Sequence, residues 1–380
     1  MDFDLSDEQQ AITDLAAKLL GDKATPEAIR AVEERDDLRF DRDLWAAMAD
    51  AGLLGIALPA EHGGAGLGLL ELCLALEEVG RRTAPVPALA ALAVGGLAVA
   101  RWGTADQQAA LLPGVAAGTT VLTAALSEPL GDLLHPSTTA RPARDGSDGW
   151  VLDGTRSNVP AGLVADVVLV PATTDGGDVA VFLVPAGAEG VRRHRQDTTT
   201  GTPDAEVELD GVRVGPEAML GGPGADGAAV LRSMVEAASP DITAQAPTVA
   251  AEAVRITGEY TTAREQFGRP IATFQAVGQR AADAYVDAQG IRLTMLQAAW
   301  RLAAGVPADR EVAVAKYWAS AGGQRVVHAA SHLHGGMGVD RDYPLHRYFL
   351  LAKQLELYLG GTSRQLLALG AILAAEGPVR

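Results

Sequence analysis

A single cysteine, Cys73, leaves this chain of 380 residues without an internal disulfide framework and fits a reducing compartment. Its apolar setting, LCLAL, predicts a buried structural thiol rather than a nucleophile. An excess of positive charge is also missing. Lys and Arg total 31 against 48 Asp and Glu, a formal net charge of −17, which excludes a nucleic-acid partner unless a local basic patch opposes the overall field. The longest apolar stretch, VPALAALAVGGLAVA (86–100), is short of the roughly 20 residues a membrane span needs. It reads as a buried helix pair, or as an Ala-rich helix with a Gly interruption, and no membrane insertion is expected. MDFDLSDEQQ has neither a basic n-region nor an apolar h-region, so no secretory leader is expected and the compartment reads as cytoplasmic. The glycines of LPAEHGGAGLG (58–68) lack the GxGxxG spacing and no strand leads into them, which removes the dinucleotide fingerprint. Internal repeats and low-complexity linkers are absent, which argues against flexibly tethered modules.

What is present is a change of period along the chain. Ser6 and Gln9 form a potential capping box, after which Ile12, Leu15, Ala16 and Leu19 share one helical face. Leu44, Ala47 and Met48 repeat that spacing before Gly52, and LLELCLALEEVGR (69–81) resumes as a buried helix, so residues 1–118 read as a helical domain. Over 119–225 the period becomes two: GWVLDGTR (149–156), ADVVLVPA (165–172), DVAVFLVPA (178–186) and AEVELDGVRV (205–214) predict a compact β domain. From 226 to 380 helices return over 226–265, 273–304, 308–334 and 344–378, the pattern of a four-helix bundle. Pro240 and Pro247 are expected to kink or break the first of them.

Two C-terminal runs make this α+β order specific. AREQFGRPIATFQ (263–275) and HLHGGMGVDRDYPLHRYFLLAKQLELYLGGTS (332–363) resemble the signatures of acyl-CoA dehydrogenases, and the resemblance covers nearly the whole chain. It implies an N-terminal helical domain, a central β-barrel-like domain, a C-terminal bundle, and FAD bound between domains with help from a neighbouring subunit. It places Arg264, Gln266, Phe267, Gly268, Ile271, Phe274 and Gln275 in the stretch that reaches a partner's flavin. A guanidinium suits pyrophosphate oxygens, and an aromatic ring suits the adenosine end. Gly335, Gly336 and Gly338 match the family's GG-x-G, where glycine lets the backbone approach a phosphate or ribose. His332 stands where glutamine is usual. His328, His332, His334 and His346 crowd one region, but without an accompanying cysteine no metal site is expected.

Elsewhere the family pattern lapses. The turn that resembles TEP-x-AGS reads Ser127, Glu128, Pro129, Leu130, Gly131, Asp132. The following strand reads Arg156, Ser157, Asn158, Val159, Pro160, so Asn158 replaces the tryptophan beside the isoalloxazine and Pro160 a threonine. Dehydrogenation of an acyl-CoA needs a carboxylate to take the α-proton, a step worth about 10²–10⁴ in rate. At the family's usual glutamate position stands Gly360, within Leu359, Gly360, Gly361, Thr362. At the alternative position on the first bundle helix stands Ala238, followed by Ser239 where an arginine is usual; Glu236 and Asp241 lie close by as fallback candidates.

Residues that would face this chain's own flavin are altered, and those that would reach a neighbour remain. That asymmetry resembles the base-lacking subunit of actinobacterial heteromeric acyl-CoA dehydrogenases, as does HGGMGVDRDYPLHRYF with Asp340, Arg341 and Asp342. The resemblance implies a non-catalytic, FAD-site-completing chain and a glutamate-bearing partner in a heterotetramer (α2β2) with two copies of each. It also implies an acyl-CoA substrate derived from a steroid side chain or ring, and an electron-transfer acceptor. Two other readings stay open: an autonomous dehydrogenase with Glu236 or Asp241 as base, and a structural or acyl-CoA-binding pseudoenzyme.

Overall fold

The computed structural model describes residues 3–35, 38–129, 131–143 and 148–376, apart from the side chains of residues 240–242 and 376. Twelve α-helices are described: α1 Asp7–Lys23, α2 Pro26–Glu33, α3 Arg42–Asp50, α4 Leu69–Arg82, α5 Leu97–Trp102, α6 Ala105–Ala116, α7 Gly227–Ala263, α8 Gln275–Ala303, α9 Asp309–Tyr317, α10 Gly323–His334, α11 Leu345–Leu357 and α12 Thr362–Glu376. Between α6 and α7 run β1 Leu122–Ala124, β2 Thr139–Pro142, β3 Trp150–Val159, β4 Val167–Thr174, β5 Val179–Pro185, β6 Val191–Arg195 and β7 Ala205–Val214. The chain is thus helical, then sheet, then helical.

It divides into two compact units that cut across this order. One combines Met1–Pro26, Leu69–Ala84 and Ser239–Arg380; the other combines Glu27–Gly68 and Pro85–Ala238. In the first, α1 packs on α4. The Ser6 capping box is formed, with Gln9 N–H donating to Ser6 Oγ at 3.2 Å and Ser6 N–H to Gln9 Oε1 at 3.0 Å. Gln9 Nε2 then reaches Glu71 at 2.8 Å, tying the cap to α4, where Cys73 is fully buried. The backbone is helical without a break from Gly227 to Ala263, so Pro240 and Pro247 do not end α7; tertiary burial outweighs two lost backbone donors. A π turn at Trp318–Gly322 carries α9 into α10 without a break, so one helical run spans 309–334. The last bundle segment differs from a four-helix reading, because left-handed Leu359 (φ 55°) and Gly360 (φ 90°) separate α11 from α12.

In the second unit the strand order is β1-β4-β2-β3-β7-β6, with β5 on the other side of β4. β1 and β2 both lie parallel to β4, at its two ends, and the remaining pairs are antiparallel. The core alternates inward Leu152, Val168, Val170, Phe182 and Val207. Residues 89–96 form a π-helix leading into α5, and a Cβ on Gly95 would sit 2.5 Å from the Leu122 Cβ, so glycine lets β1 pack there. β6, with sequence VRRHR, lacks apolar alternation because it is the sheet's edge. Arg192 pairs with Glu208 and Asp210 at 2.8 and 2.9 Å, and charged edges resist further strand addition.

Candidate functional site

α7 ends in a tight hairpin, β8 Glu265–Gln266 against β9 Arg269–Pro270. Its two turn residues, Phe267 (φ 56°) and Gly268 (φ 77°), are both left-handed, the signature of a type I′ turn. Glycine takes that conformation freely, whereas for a phenylalanine it costs about 1–2 kcal/mol. Phe267 is nonetheless 90% exposed, so burial within the chain does not offset the strain. Its ring meets Phe274 edge-on at 6.1 Å, and the Arg269 guanidinium lies 4.2 Å over the Phe274 ring. Ile271 N–H donates to Arg264 O at 2.8 Å and closes the hairpin onto α8. Arg264, Gln266 and Gln275 are exposed; Ile271 and Phe274 are half-buried. Phe274 is the N-cap of the 29-residue α8 and supplies no side-chain acceptor, so the helix presents its positive end beside these residues.

The second expected element is the turn after α10. Gly335 has φ 59° and ψ −133°, and a Cβ added there or at Gly336 would meet nothing within 4 Å, so both face open space. Gly338 differs: it is buried, with the Ser331 carbonyl 2.6 Å from the place of its Cβ, and its role is packing. His332 is exposed. His334 is buried, with Nδ1 2.8 Å from Ala330 O, which makes Nδ1 the protonated nitrogen. Nε2 then accepts from the Tyr343 hydroxyl at 3.2 Å, and burial holds the imidazole below its usual pKa despite the Ala330 bond. The Tyr260 ring stacks on His334 with centroids 4.3 Å apart. Arg264 N–H bonds Tyr260 O at 2.8 Å, so this brace links the base of the hairpin to the end of α10. Of the other histidines, His346 Nδ1 donates to Tyr343 O at 2.7 Å and His328 packs on Phe349. Arg269 and Tyr343 lie inside the two signature runs without being named there, and Tyr260 precedes Arg264 by one helical turn; those placements are their signal in the sequence.

At the usual base position, Gly360 follows Leu359 in a left-handed turn, and a Cβ on it would lie 2.3 Å from Arg364 Cδ. The turn is fixed from beneath. The fully buried Lys316 donates from Nζ to Leu355 O (2.9 Å), Glu356 O (3.0 Å) and Ser320 Oγ (3.0 Å), capping the last carbonyls of α11. Burial pushes the ammonium down to about 7, with the Glu356 charge opposing. A cavity of about 470 Å³ opens beside the turn, lined by Gln324, Arg325, Glu356, Thr362, Ser363 and Arg364 among others. Among the described residues its one lining carboxylate, Glu356, is held by Lys353 at 2.6 Å, and Arg325 is held by Asp287. Ala238 and Ser239 are buried, and Glu236 is half-buried two residues before them. Asp241 lies outside the described side chains, as does Leu130 of the earlier turn.

The altered β-region residues form an internal network. Glu128 pairs with Arg156 at 3.0 Å, both side chains 1% exposed. The carboxylate also accepts from the N–H and hydroxyl of Ser137 (2.7 Å each) and of Thr138 (2.9 Å each). Burial pushes Glu128 up, but these donors and Arg156 outweigh it and the carboxyl sits below its usual range; burial lowers Arg156 to about 10. Arg156 Nη2 donates to Pro171 O, while Nε has no partner among the described residues. Asn158 is left-handed (φ 51°) and exposed, its N–H bonded to Gln196 Oε1 at 2.6 Å. Pro160 uses its carbonyl to accept from Thr123 Oγ1 at 2.6 Å.

These segments coincide with a known family pattern. Residues 6–119 match the model of the acyl-CoA dehydrogenase N-terminal domain, and residues 225–373 match that of the C-terminal domain. The chain belongs to the acyl-CoA dehydrogenase family. Its members are FAD-dependent oxidoreductases, and FAD is the cofactor implied here. The chain is 41% identical to acyl-CoA dehydrogenase FadE27 of Mycobacterium tuberculosis, over 98% of this chain and 99% of that one. Its fold matches the ChsE4-ChsE5 complex from Mycobacterium tuberculosis at TM-score 0.92 and 40% identity, covering all of both chains. It matches a single-residue variant of the Tcur3481-Tcur3483 steroid acyl-CoA dehydrogenase at TM-score 0.89 and 43% identity, over 97% of this chain and 98% of that one. This chain is therefore an acyl-CoA dehydrogenase homologue similar to subunits of heteromeric steroid enzymes.

Proposed function

We propose that this chain is the non-catalytic, FAD-site-completing subunit of a heteromeric acyl-CoA dehydrogenase. It lends its hairpin and glycine turn to a glutamate-bearing partner in a heterotetramer with two copies of each. The observation that carries this reading is Phe267: a large aromatic held in a costly left-handed conformation and left exposed on the chain itself.

The outward-facing residues fit the ADP half of FAD. Arg264 offers a planar fork of donors for pyrophosphate oxygens, and the start of α8 adds the positive end of a helix. Phe267 and Phe274 present an edge-to-face pair on which an adenine can pack, and Arg269 orients Phe274 from behind. Gly335 and Gly336 leave the room that close backbone approach to a ribose or phosphate needs. Gln266, Gln275 and His332 add hydrogen-bonding groups at the rim. The ring half does not fit within this chain. Asn158 offers no aromatic wall, Pro160 no N–H, and Glu128 and Arg156 are committed to each other. When bound, FAD accepts the hydride in α,β-dehydrogenation. The α-proton needs a carboxylate, and Gly360 supplies none, so the partner supplies it. Relatives named as steroid enzymes and as two-chain complexes support a steroid side-chain or ring-derived acyl-CoA as substrate, and an electron-transfer acceptor completes the cycle.

Co-expression with a glutamate-bearing homologue tests the reading. Native mass spectrometry should give two copies of each chain and half as many flavins as chains, with dehydrogenation only by the complex. Full FAD occupancy and turnover by this chain alone would overturn it in favour of an autonomous enzyme with a base such as Glu236 or Asp241. Absence of flavin from every complex would instead indicate a pseudoenzyme.

A further inference from the structure

Three rings close on one another beneath the hairpin and the glycine turn. Tyr260 lies on α7 one helical turn before Arg264, His334 ends α10 immediately before Gly335, and Tyr343 stands between the glycine turn and α11. Each ring meets the other two. Centroids lie 4.3 Å apart for Tyr260 and His334, 5.2 Å for His334 and Tyr343, and 6.3 Å for Tyr260 and Tyr343. The ring at the centre is a polar one. His334 is 3% exposed and both its nitrogens are committed, Nδ1 to Ala330 O at 2.8 Å and Nε2 to the Tyr343 hydroxyl at 3.2 Å. It therefore has no atom left for a ligand, unlike His332, which is exposed two residues earlier. A leucine would fill the same place with no polar group to satisfy. What the imidazole adds is direction: it accepts one hydroxyl along one line, which fixes Tyr343 relative to the end of α10.

We infer that Tyr260, His334 and Tyr343 are positioning residues, a latch that holds the hairpin and the glycine turn in one fixed relation before FAD arrives. The inference rests on the function proposed above and deepens it. The backbone carries the position of each ring into one of the two elements. Arg264 N–H donates to Tyr260 O and Ile271 N–H to Arg264 O, each at 2.8 Å, so Tyr260 sets the base of the hairpin. The glycine turn is held at both ends. Gly335 follows His334 directly, while Tyr343 N–H reaches Asp340 O at 3.2 Å and Asp340 N–H reaches Met337 O at 3.3 Å. Two elements set in advance have less to lose in ordering when a ligand spans them. They should also loosen together.

The test uses Tyr343→Phe, His334→Leu, the two combined, and His334→Gln, each co-expressed with the glutamate-bearing partner. Tyr343→Phe and His334→Leu should each weaken FAD binding by the heteromer about tenfold, the scale of one directed hydrogen bond. Combined, they should lose no more than either alone, because both break the same interaction. His334→Gln should recover most of the affinity, since its amide oxygen can still accept from Tyr343. In isolated Tyr343→Phe, hydrogen exchange should quicken over 264–271 and 335–339 together, with circular dichroism and heteromer mass retained. Unchanged FAD affinity in a flavin-binding heteromer, additive losses, or faster exchange in one element alone would each overturn the latch and leave the flavin-lending reading intact. A wild-type heteromer that binds no flavin would overturn that reading and the inference with it.

Discussion

Glu128 and Phe267 show two opposite fates for a costly group. In the β region, a carboxylate and a guanidinium are taken out of water, and the chain answers with an ion pair at 3.0 Å and four further donors from Ser137 and Thr138. At the hairpin, the chain accepts backbone strain at Phe267 and, apart from an edge-on contact with Phe274, leaves the ring exposed. A group satisfied internally reports on the stability of the chain that holds it. A strained group left uncovered reports on something outside that chain. Under the proposed function, the difference separates Glu128 and Arg156, committed to each other, from Phe267, left exposed for a ligand.

Removing one partner of the buried pair should give the largest effect. Glu128→Gln leaves the Arg156 charge in the interior without a counter-charge and puts an amide NH2 among the donors of Ser137 and Thr138, and should cost about 3–5 kcal/mol in urea denaturation. Arg156→Met should cost less, because Glu128 keeps its four other donors. Equal and negligible losses for both would mean that the pair is not scaffold. Lys316 gives the next effect, through pH. Its folded pKa of about 7 lies below the ordinary 10.5, so between these values the unfolded chain holds a proton that the native chain does not. Stability should therefore rise with pH across that window, by up to about 1.4 kcal/mol per unit, and be insensitive to this group below it. Lys316→Met should flatten that rise in matched melts at pH 7 and 9.

Gly360→Glu should lower stability by about 1–2 kcal/mol through its left-handed φ and the displaced Arg364, without conferring turnover on the isolated chain. Dehydrogenation by that variant alone would show that only the carboxylate was missing. The smallest effect sharpens the contrast most. Phe267→Gly should raise the chain's own stability by up to about 1 kcal/mol by relieving the turn, yet reduce flavin retention in the heteromer, read from absorbance after gel filtration. A loss of stability would mean that Phe267 serves the chain itself.

Local chemistry was legible wherever it was self-contained. Ser6 and Gln9 are three residues apart and their cap forms as the spacing requires; the alternating runs became β3, β4, β5 and β7. β6 escaped because an edge strand of Arg and His has no buried face to print a period. The break between α11 and α12 escaped because Leu359 is an ordinary helix former whose left-handed state depends on the turn around it. For the site, the motif residues could be named from their pattern, but not which faced outward. Gly335 and Gly338 read alike in sequence; only the Ser331 carbonyl beside one of them makes it a packing glycine. Glu128 looked like the remnant of a flavin turn, and its enclosure depends on Arg156, 28 residues away on a neighbouring strand.

The turn at Leu359 and Gly360 bears on how this chain's history can run. Its carbonyls accept from Gln365 Nε2, the helix end before it is held by Lys316, its main chain adopts a shape suited to glycine, and Arg364 lies where a new side chain would begin. A single codon change can place a carboxyl group there but cannot form the surroundings that aim it. Under the proposed function, dependence on a partner is therefore easier to keep than to reverse.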